Sequence, residues 1–307
     1  MIAALKKKYA KFWRLYIFLL IPLTYLFIFR YYPMIGAQIA FRKYSIRGGV
    51  WGSPWVGFDN FIKFLTAYQF RRVLVNTLSL SLYSLLASFP IPIIFALMLN
   101  VVTNRRLKKS IQTVSSLPNF ISIVVLVGMI RQFFNPLVGI YGVIYGQLTG
   151  GGTVPDILGS PAAFGHIYVL SGVWQTFGYS AIIYLAALSN VSEELHEASQ
   201  IDGASRFQRV LHIDFPAILP TVTIMLILRM GFVMNVGFEK VFLLQNPMNI
   251  SVSEIISTFV YKKGLGSGMS NDYSYAAAID IFNSVINMIL ITVVNAISDK
   301  LGETSLW

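Results

Sequence analysis

The chain has 307 residues, 55% of them hydrophobic and only 12% charged, with a mean hydropathy of +0.65 and 24 Lys+Arg against 13 Asp+Glu for a net charge of +11. Charged residues at about half the usual frequency exclude an ordinary soluble domain, basic residues this sparse exclude a nucleic-acid binder, and 14% aromatics exclude a disordered chain. The absence of cysteine excludes a disulfide framework, a zinc-thiolate site and a cysteine nucleophile, leaving an integral membrane protein as the class that fits.

Charged residues serve as rulers for the spans. The first element is the run of fifteen uncharged residues between Arg14 and Arg30, short for a ~30 Å hydrocarbon core unless both arginines snorkel. It follows a basic start, KKKYAKFWR, and lacks a small-x-small cleavage site, so it reads as an uncleaved anchor. The second span lies in the 32 uncharged residues between Arg72 and Arg105, and the third in the 21 between Lys109 and Arg131. The fourth lies in the 36 between Asp156 and Glu193. The fifth lies between Asp214 and Glu239, interrupted by Arg229, and the sixth between Asp272 and Asp299, interrupted by Asp280. The expectation is all-α, with six transmembrane helices.

Between these spans the connections differ. Residues 31–72 read as an outer segment of turns, with a short amphipathic piece at FDNFIKFL, and residues 1–72, the anchor helix and outer loop, form a first region ahead of a core transmembrane region at 73–307. The Gly- and Pro-rich stretch 135–163 reads as irregular. The segment SVSEIISTFVYKKGL reads as a surface amphipathic helix, with Ser251 or Ser253 as N-cap and Ile255, Ile256, Phe259 and Val260 on its apolar side. With the N-terminus inside, Lys and Arg divide twelve to twelve between the two sides. The inner ones crowd against span ends, which favours both termini inside. Tyr31, Tyr32 and Trp51 suit an interfacial belt.

Residues 193–220, EELHEASQIDGASRFQRVLHIDFPAILP, hold five of the thirteen acids: Glu193, Glu194, Glu197, Asp202 and Asp214. The pattern is two short helices joined at Gly203, whose missing Cβ permits a turn, with Pro216 opening the fifth span. Small Ala198, Ser199 and Ala204 beside Glu197 and Asp202 offer close approach and carboxylate partners to a cytoplasmic protein. The plainer reading is a solvated connection.

This segment resembles the coupling motif of binding-protein-dependent ABC importer permeases: Glu-Ala-Ala, three residues, Gly, nine residues, Ile-x-Leu-Pro. Here it stands as Glu197-Ala198-Ser199, Gly203 and Ile213-Asp214-Phe215-Pro216, with Ser199 and Phe215 as departures. YYPMIGAQIAFRKY (31–44), WVGFDNF (55–61), SSLPNFIS (115–122), RMGFVMNVGFEKVFLLQNP (229–247), YAAAIDIFNSVIN (275–287) and the terminal ETSLW extend the likeness nearly end to end to the LplB-like permeases of oligosaccharide and polysaccharide importers. The resemblance implies a type I ABC importer (MetI-like) permease fold in a bacterial plasma membrane. It further implies a second permease completing a heterodimeric pore, a cytoplasmic ATPase dimer, an extracytoplasmic sugar-binding lipoprotein and an oligosaccharide substrate. ATP coupling is then expected through Glu197, Ala198, Ser199, Asp202, Gly203 and Ala204.

No GxxxxGK[ST], HExxH or nucleophile elbow occurs, so no catalytic residue, metal or cofactor is expected in this chain, and ATP and Mg belong to the ATPase. Asn283 and Asn287 share a helix face with Asp280 three residues before. With Asn235 they are expected as buried amides that either line the pathway or join helices. Arg229 and Asp280 are either a structural pair or part of a polar cavity; Arg131 and Glu239 are either interfacial or functional. Trp174, Tyr179 and Tyr184 either stack on sugar rings or face lipid and neighbouring helices. His166, His196 and His212 show no ligand spacing and read as incidental. A self-sufficient secondary transporter or a non-transporting sensor partner are the rival functions; no proton-relay pattern supports the first.

Overall fold

The computed structural model describes residues 12–266 and 271–300. Lys6, Lys7, Lys8 and Lys11, counted for orientation, and the terminal ETSLW lie outside the described residues. The elements are helical, and among the described residues the only β pairing is an isolated bridge between Arg42 and Trp55. Two compact units emerge: one from the residues up to Ala67 with Val260–Phe282, the other from Tyr68–Phe259 with the chain from Asn283 onward.

In the first unit, helix α1 (Trp13–Phe41) is 29 residues long and apolar enough to cross a membrane. It runs well past Arg30, where the anchor was expected to end. Tyr31 and Tyr32 are therefore helical, through a π turn at Phe27–Tyr31 and a 3-10 close at Ile35–Phe41. Arg42 follows and donates to the carbonyls of Trp51 (3.2 Å) and Ser53 (2.8 Å), folding the Gly-rich turn back. Helix α2 (Asp59–Leu65) is the expected amphipathic piece. It buries Phe64 edge-on against Tyr275 and Phe282, and Lys63 pairs with Asp272 at 2.8 Å.

In the second unit, α3 (Phe70–Ser88) and α4 (Pro90–Asn100) join at Phe89 into a 31-residue apolar span. Pro90 sits at the start of α4, where its missing N–H is tolerated. The expected third span is broken. Helix α5 (Arg105–Ser116), its 3-10 extension to Phe120 and α6 (Ile123–Phe133) are bent by 94°. Pro118 opens the 3-10 turn and Ile121 is extended. Ser122 caps α6 by accepting from Val125 N–H at 3.3 Å. The Ile121 carbonyl freed by the break accepts from Gln175 Nε2 at 2.8 Å. Within 135–163, expected irregular, lies α7 (Ile140–Leu148), held close because Gly142 has no Cβ: one would stand 2.2 Å from the Pro136 carbonyl oxygen.

Helix α8 (Pro161–Leu188) is the centre of the unit, packing against α3, α4 and α5. Its 28 residues are long enough to span, yet it falls outside the helices apolar enough to qualify on composition. The reason is its load of Gly, Ser, Thr and Gln, several of which face other helices: Gly178 and Gln175 are buried. Four helices pass by length and composition, or five with the bent pair, against the six expected.

Candidate coupling segment and translocation recess

Helix α9 (Glu193–Ile201) starts at Ser192, whose Oγ accepts from Glu194 N–H at 3.2 Å, and places Glu193 and Glu194 at the positive end of the helix dipole. It ends in a Schellman turn. Gly203 N–H donates to Gln200 C=O at 3.1 Å and Ala204 N–H to Ser199 C=O at 2.8 Å, with Gly203 at φ +79°. The left-handed position is what demands glycine there. Glu197, Ala198, Asp202 and Gly203 are exposed, while Ser199 and Ala204 are half-buried, and Ser199 Oγ donates to the His196 carbonyl at 2.8 Å. Ser205 and Gln208 then form a reciprocal capping box (2.8 and 3.3 Å) that starts the next helix immediately.

That helix departs from expectation. Instead of a second short piece followed by a span, α10 (Arg206–Met230) is one 25-residue helix. Pro216 lies inside it, not at its start. Having no N–H, Pro216 cannot close a regular turn, and the residues before it, Val210–Asp214, widen into a π turn. Phe207 and Leu211 project into an apolar groove of about 790 Å³ against Phe89, Ile93 and Leu97 of the second span.

The π turn delivers Asp214 to a buried position, 2% exposed. Its Oδ1 lies 3.2 Å from His196 Nε2 of α9 and accepts from Asn100 Nδ2 of α4 at 3.3 Å; Asn100 Oδ1 in turn accepts from Lys108 Nζ of α5 at 3.3 Å. His196, read as incidental, therefore fastens the motif helix to the ends of two spans. A cavity of about 610 Å³ opens beside this cluster, with Glu197, Arg206 and Arg209 among its lining residues. One sequence signal for the cluster existed: an acid at the free position of Ile-x-Leu-Pro, next to an apolar run.

At the other end of α10 the helix unwinds over Gly231–Gly237 before α11 (Phe238–Leu244). Unwinding frees backbone donors, and side chains take them up. Met234 N–H donates to Asn287 Oδ1 at 3.0 Å, and Gly237 N–H to Tyr168 Oη at 3.1 Å. Asn235 Oδ1 accepts from both Asn283 Nδ2 (3.0 Å) and Asn287 Nδ2 (3.2 Å) of α13 (Tyr273–Lys300). Asn283 and Asn287 are thus buried amides as expected, and they tie α13 to the unwound segment; Asn235, expected buried, is exposed.

Asn235 and Arg229 line a recess of about 260 Å³ together with Ser81, Ser84, Ser88 and Tyr168. A second recess of about 390 Å³ shares Arg229 and Ser88 and adds Tyr179 and Tyr184. Trp174 is 43% exposed and lines neither recess. Asp280 is exposed and lies in the first unit. The serines were missed, although Thr77, Ser81, Ser84 and Ser88 follow i, i+4, i+7, i+11 spacing in an otherwise apolar run. Beside the recess, Lys240 is 6% exposed, donates to the Tyr168 carbonyl at 2.8 Å and stands 5.0 Å from that ring's centre; burial holds its ammonium down at about 8, against an ordinary 10.5. Neither Ser251 nor Ser253 caps the next helix, α12 (Ile256–Gly264): Ser253 is buried and bonds Asn249 (2.8 Å) and Gln245 (3.2 Å). Arg131 donates to the Leu243 carbonyl, and Arg72 pairs with Glu254.

Apolar helices of spanning length, with one helix unwinding beside a polar recess, define a multi-pass membrane protein of transporter type. The chain belongs to the binding-protein-dependent transport system inner membrane component family, whose model matches residues 64–303. It is 41% identical to the protein LplB of Bacillus subtilis over 293 residues, covering 95% of this chain and 91% of that one. It is 37% identical to the polygalacturonan/rhamnogalacturonan transport system permease YteP of the same organism, covering 95% and 90%. Its structure matches a chain of a bacterial alginate ABC transporter solved with an alginate pentasaccharide-bound periplasmic protein, at a TM-score of 0.88, 36% identity and 98% and 99% coverage.

Proposed function

We propose that this chain is one half of a heterodimeric pore in an ATP-driven ABC importer of oligosaccharides or polysaccharide fragments. The observation that carries the reading is α10, which runs unbroken from the hinged segment to Arg229 in the recess. At 1.5 Å per residue its 25 residues span ~37 Å, so a displacement of one end reaches the other through a single stiff element. In this reading both termini are cytoplasmic and residues 190–215 face a separate ATPase dimer, which holds ATP and Mg. Glu197, Ala198, Ser199, Asp202, Gly203 and Ala204 form the surface that engages it. A loaded extracytoplasmic sugar-binding lipoprotein docks on the opposite side, ATP binding closes the ATPases, and the cavity opens to receive sugar. Arg229, Asn235, Asn283 and Asn287 lie on or support its path. The kinship with LplB and YteP and with the alginate transporter chain supports the sugar class.

The test is reconstitution in proteoliposomes with a second permease, ATPase and binding protein, measuring labelled oligosaccharide uptake. Uptake is expected only with ATP and all partners present. Uptake by this chain alone on an ion gradient would establish a secondary transporter instead, and partner binding with no uptake a sensor.

A further inference from the structure

We propose that Arg229 reads a carboxylate on the transported sugar, making this half-pore selective for uronate-bearing oligosaccharides. The inference rests on the importer reading above and specifies its substrate.

The recess lies at mid-span. Ser81, Ser84 and Ser88 flank the midpoint of the 31-residue stretch Phe70–Asn100, and Arg229 faces them beside the unwound Gly231–Gly237. Arg229 is exposed on the recess, so its guanidinium fork stands open to an anion. Among the described residues no carboxylate pairs with Arg229, and no Asp or Glu lines either of the two recesses it joins. The rest of the lining is uncharged and rich in hydroxyls: three serines, Tyr168, Tyr179 and Tyr184, with the Asn235 amide.

A second observation shows that the site is built to be filled. Ser81 is only 5% exposed, yet its Oγ has no hydrogen-bond partner, and neither does the buried Oγ of Ser84. Elsewhere on this face Thr77 satisfies itself by donating to Val73 C=O at 2.6 Å. Buried hydroxyls are normally bonded, so two unbonded ones on one recess wall mark positions for a ligand's polar groups. Sugar hydroxyls fit them, and a C6 carboxylate supplies the flat, two-oxygen partner that a guanidinium fork holds best. A neutral sugar would leave the guanidinium without a charged partner.

The experiment uses the complete transporter in proteoliposomes, with a galacturonate oligosaccharide and its carboxyl-reduced analogue as probes. The readout is the ratio of their ATP-driven uptake rates, a quantity that lower protein yield does not move. Wild type is expected to favour the uronate. Arg229→Gln should lower the ratio by about tenfold or more, the loss of a charge-assisted bond, and Arg229→Lys, which keeps charge without the fork, should fall between. An unchanged ratio in Arg229→Gln overturns the proposal. If Arg229→Gln fails to assemble, wild type alone decides: uptake of the reduced analogue equal to or faster than the uronate overturns it. Transport of neutral probes alone would refute the uronate assignment while leaving the importer reading intact; no ATP-driven uptake of either probe refutes the importer reading itself.

Discussion

Gly203 separates two reasons for a glycine in the coupling segment. It lies at φ +79°, and a Cβ placed there would have no heavy atom within 4 Å. Within this chain a side chain meets no steric obstacle, and the whole penalty is the left-handed backbone, roughly 1–2 kcal/mol for an ordinary residue. At 1.4 kcal/mol per factor of ten, Gly203→Ala should reduce the population of the turn about five- to thirtyfold. Gly203→Asn should lose least, because asparagine tolerates this region, and Gly203→Val most. ATP-driven uptake, normalised to inserted protein, is therefore expected to fall in the order Gly, Asn, Ala, Val. If Gly203→Asn transports as poorly as Gly203→Val, the backbone account fails. Side-chain bulk against a docked partner would then be the reason for the glycine.

Three further outcomes follow from the packing. Asp214→Ala removes the acceptor of both His196 and Asn100 at a buried site; purified protein should lose roughly 1.5–3 kcal/mol of stability, seen as a lower unfolding temperature, and an unchanged value would discount the cluster. Gly178→Ala would set a Cβ 2.2 Å from the Ser115 carbonyl oxygen, forcing α8 and α5 apart at a penalty of ~1–3 kcal/mol or more, whereas Gly128→Ala, with open space around it, should be harmless; equal thermal stability of the two variants would be the contrary result. Lys240 has a folded value of about 8, below its unfolded 10.5, so the unfolded chain binds more protons between those limits and stability rises with pH across that window. Comparing unfolding temperatures of wild type and Lys240→Met from pH 7.5 to 10 should show the difference shifting in favour of wild type, and parallel curves would contradict the burial of that charge.

The helices were legible because a membrane forbids charges over long stretches, and gaps between Asp, Glu, Lys and Arg are visible by counting. Residues 122 and 206 show where counting stops. The 94° bend before Ile123 depends on Ser122 and Gln175 catching the freed backbone, and Gln175 comes from a helix more than fifty residues away. The fusion of Arg206 into the following span depends on a π turn, which leaves the apolar periodicity almost unaltered. In the functional regions, Gly203 and its neighbours were readable because the turn is local. The bond between His196 and Asp214 joins residues eighteen apart across a hinge, which no period connects. Asn283 and Asn287 were singled out from spacing on one helix, but their work as caps of an interrupted helix follows only from where Met234 and Asn235 return beside them.

The π turn at Val210–Asp214 bears on what length variation the segment tolerates. Each residue of a helix advances the chain by about 100° around its axis, so position along α10 is also an angular phase. Removing one residue between Gly203 and Pro216 would restore regular bonding at the turn. It would also swing α9 by more than a quarter of a circle relative to Arg229, taking His196 away from Asp214. The interval of nine residues before Ile213 is therefore a phase setting, and losing one residue there should do more harm than exchanging any of them.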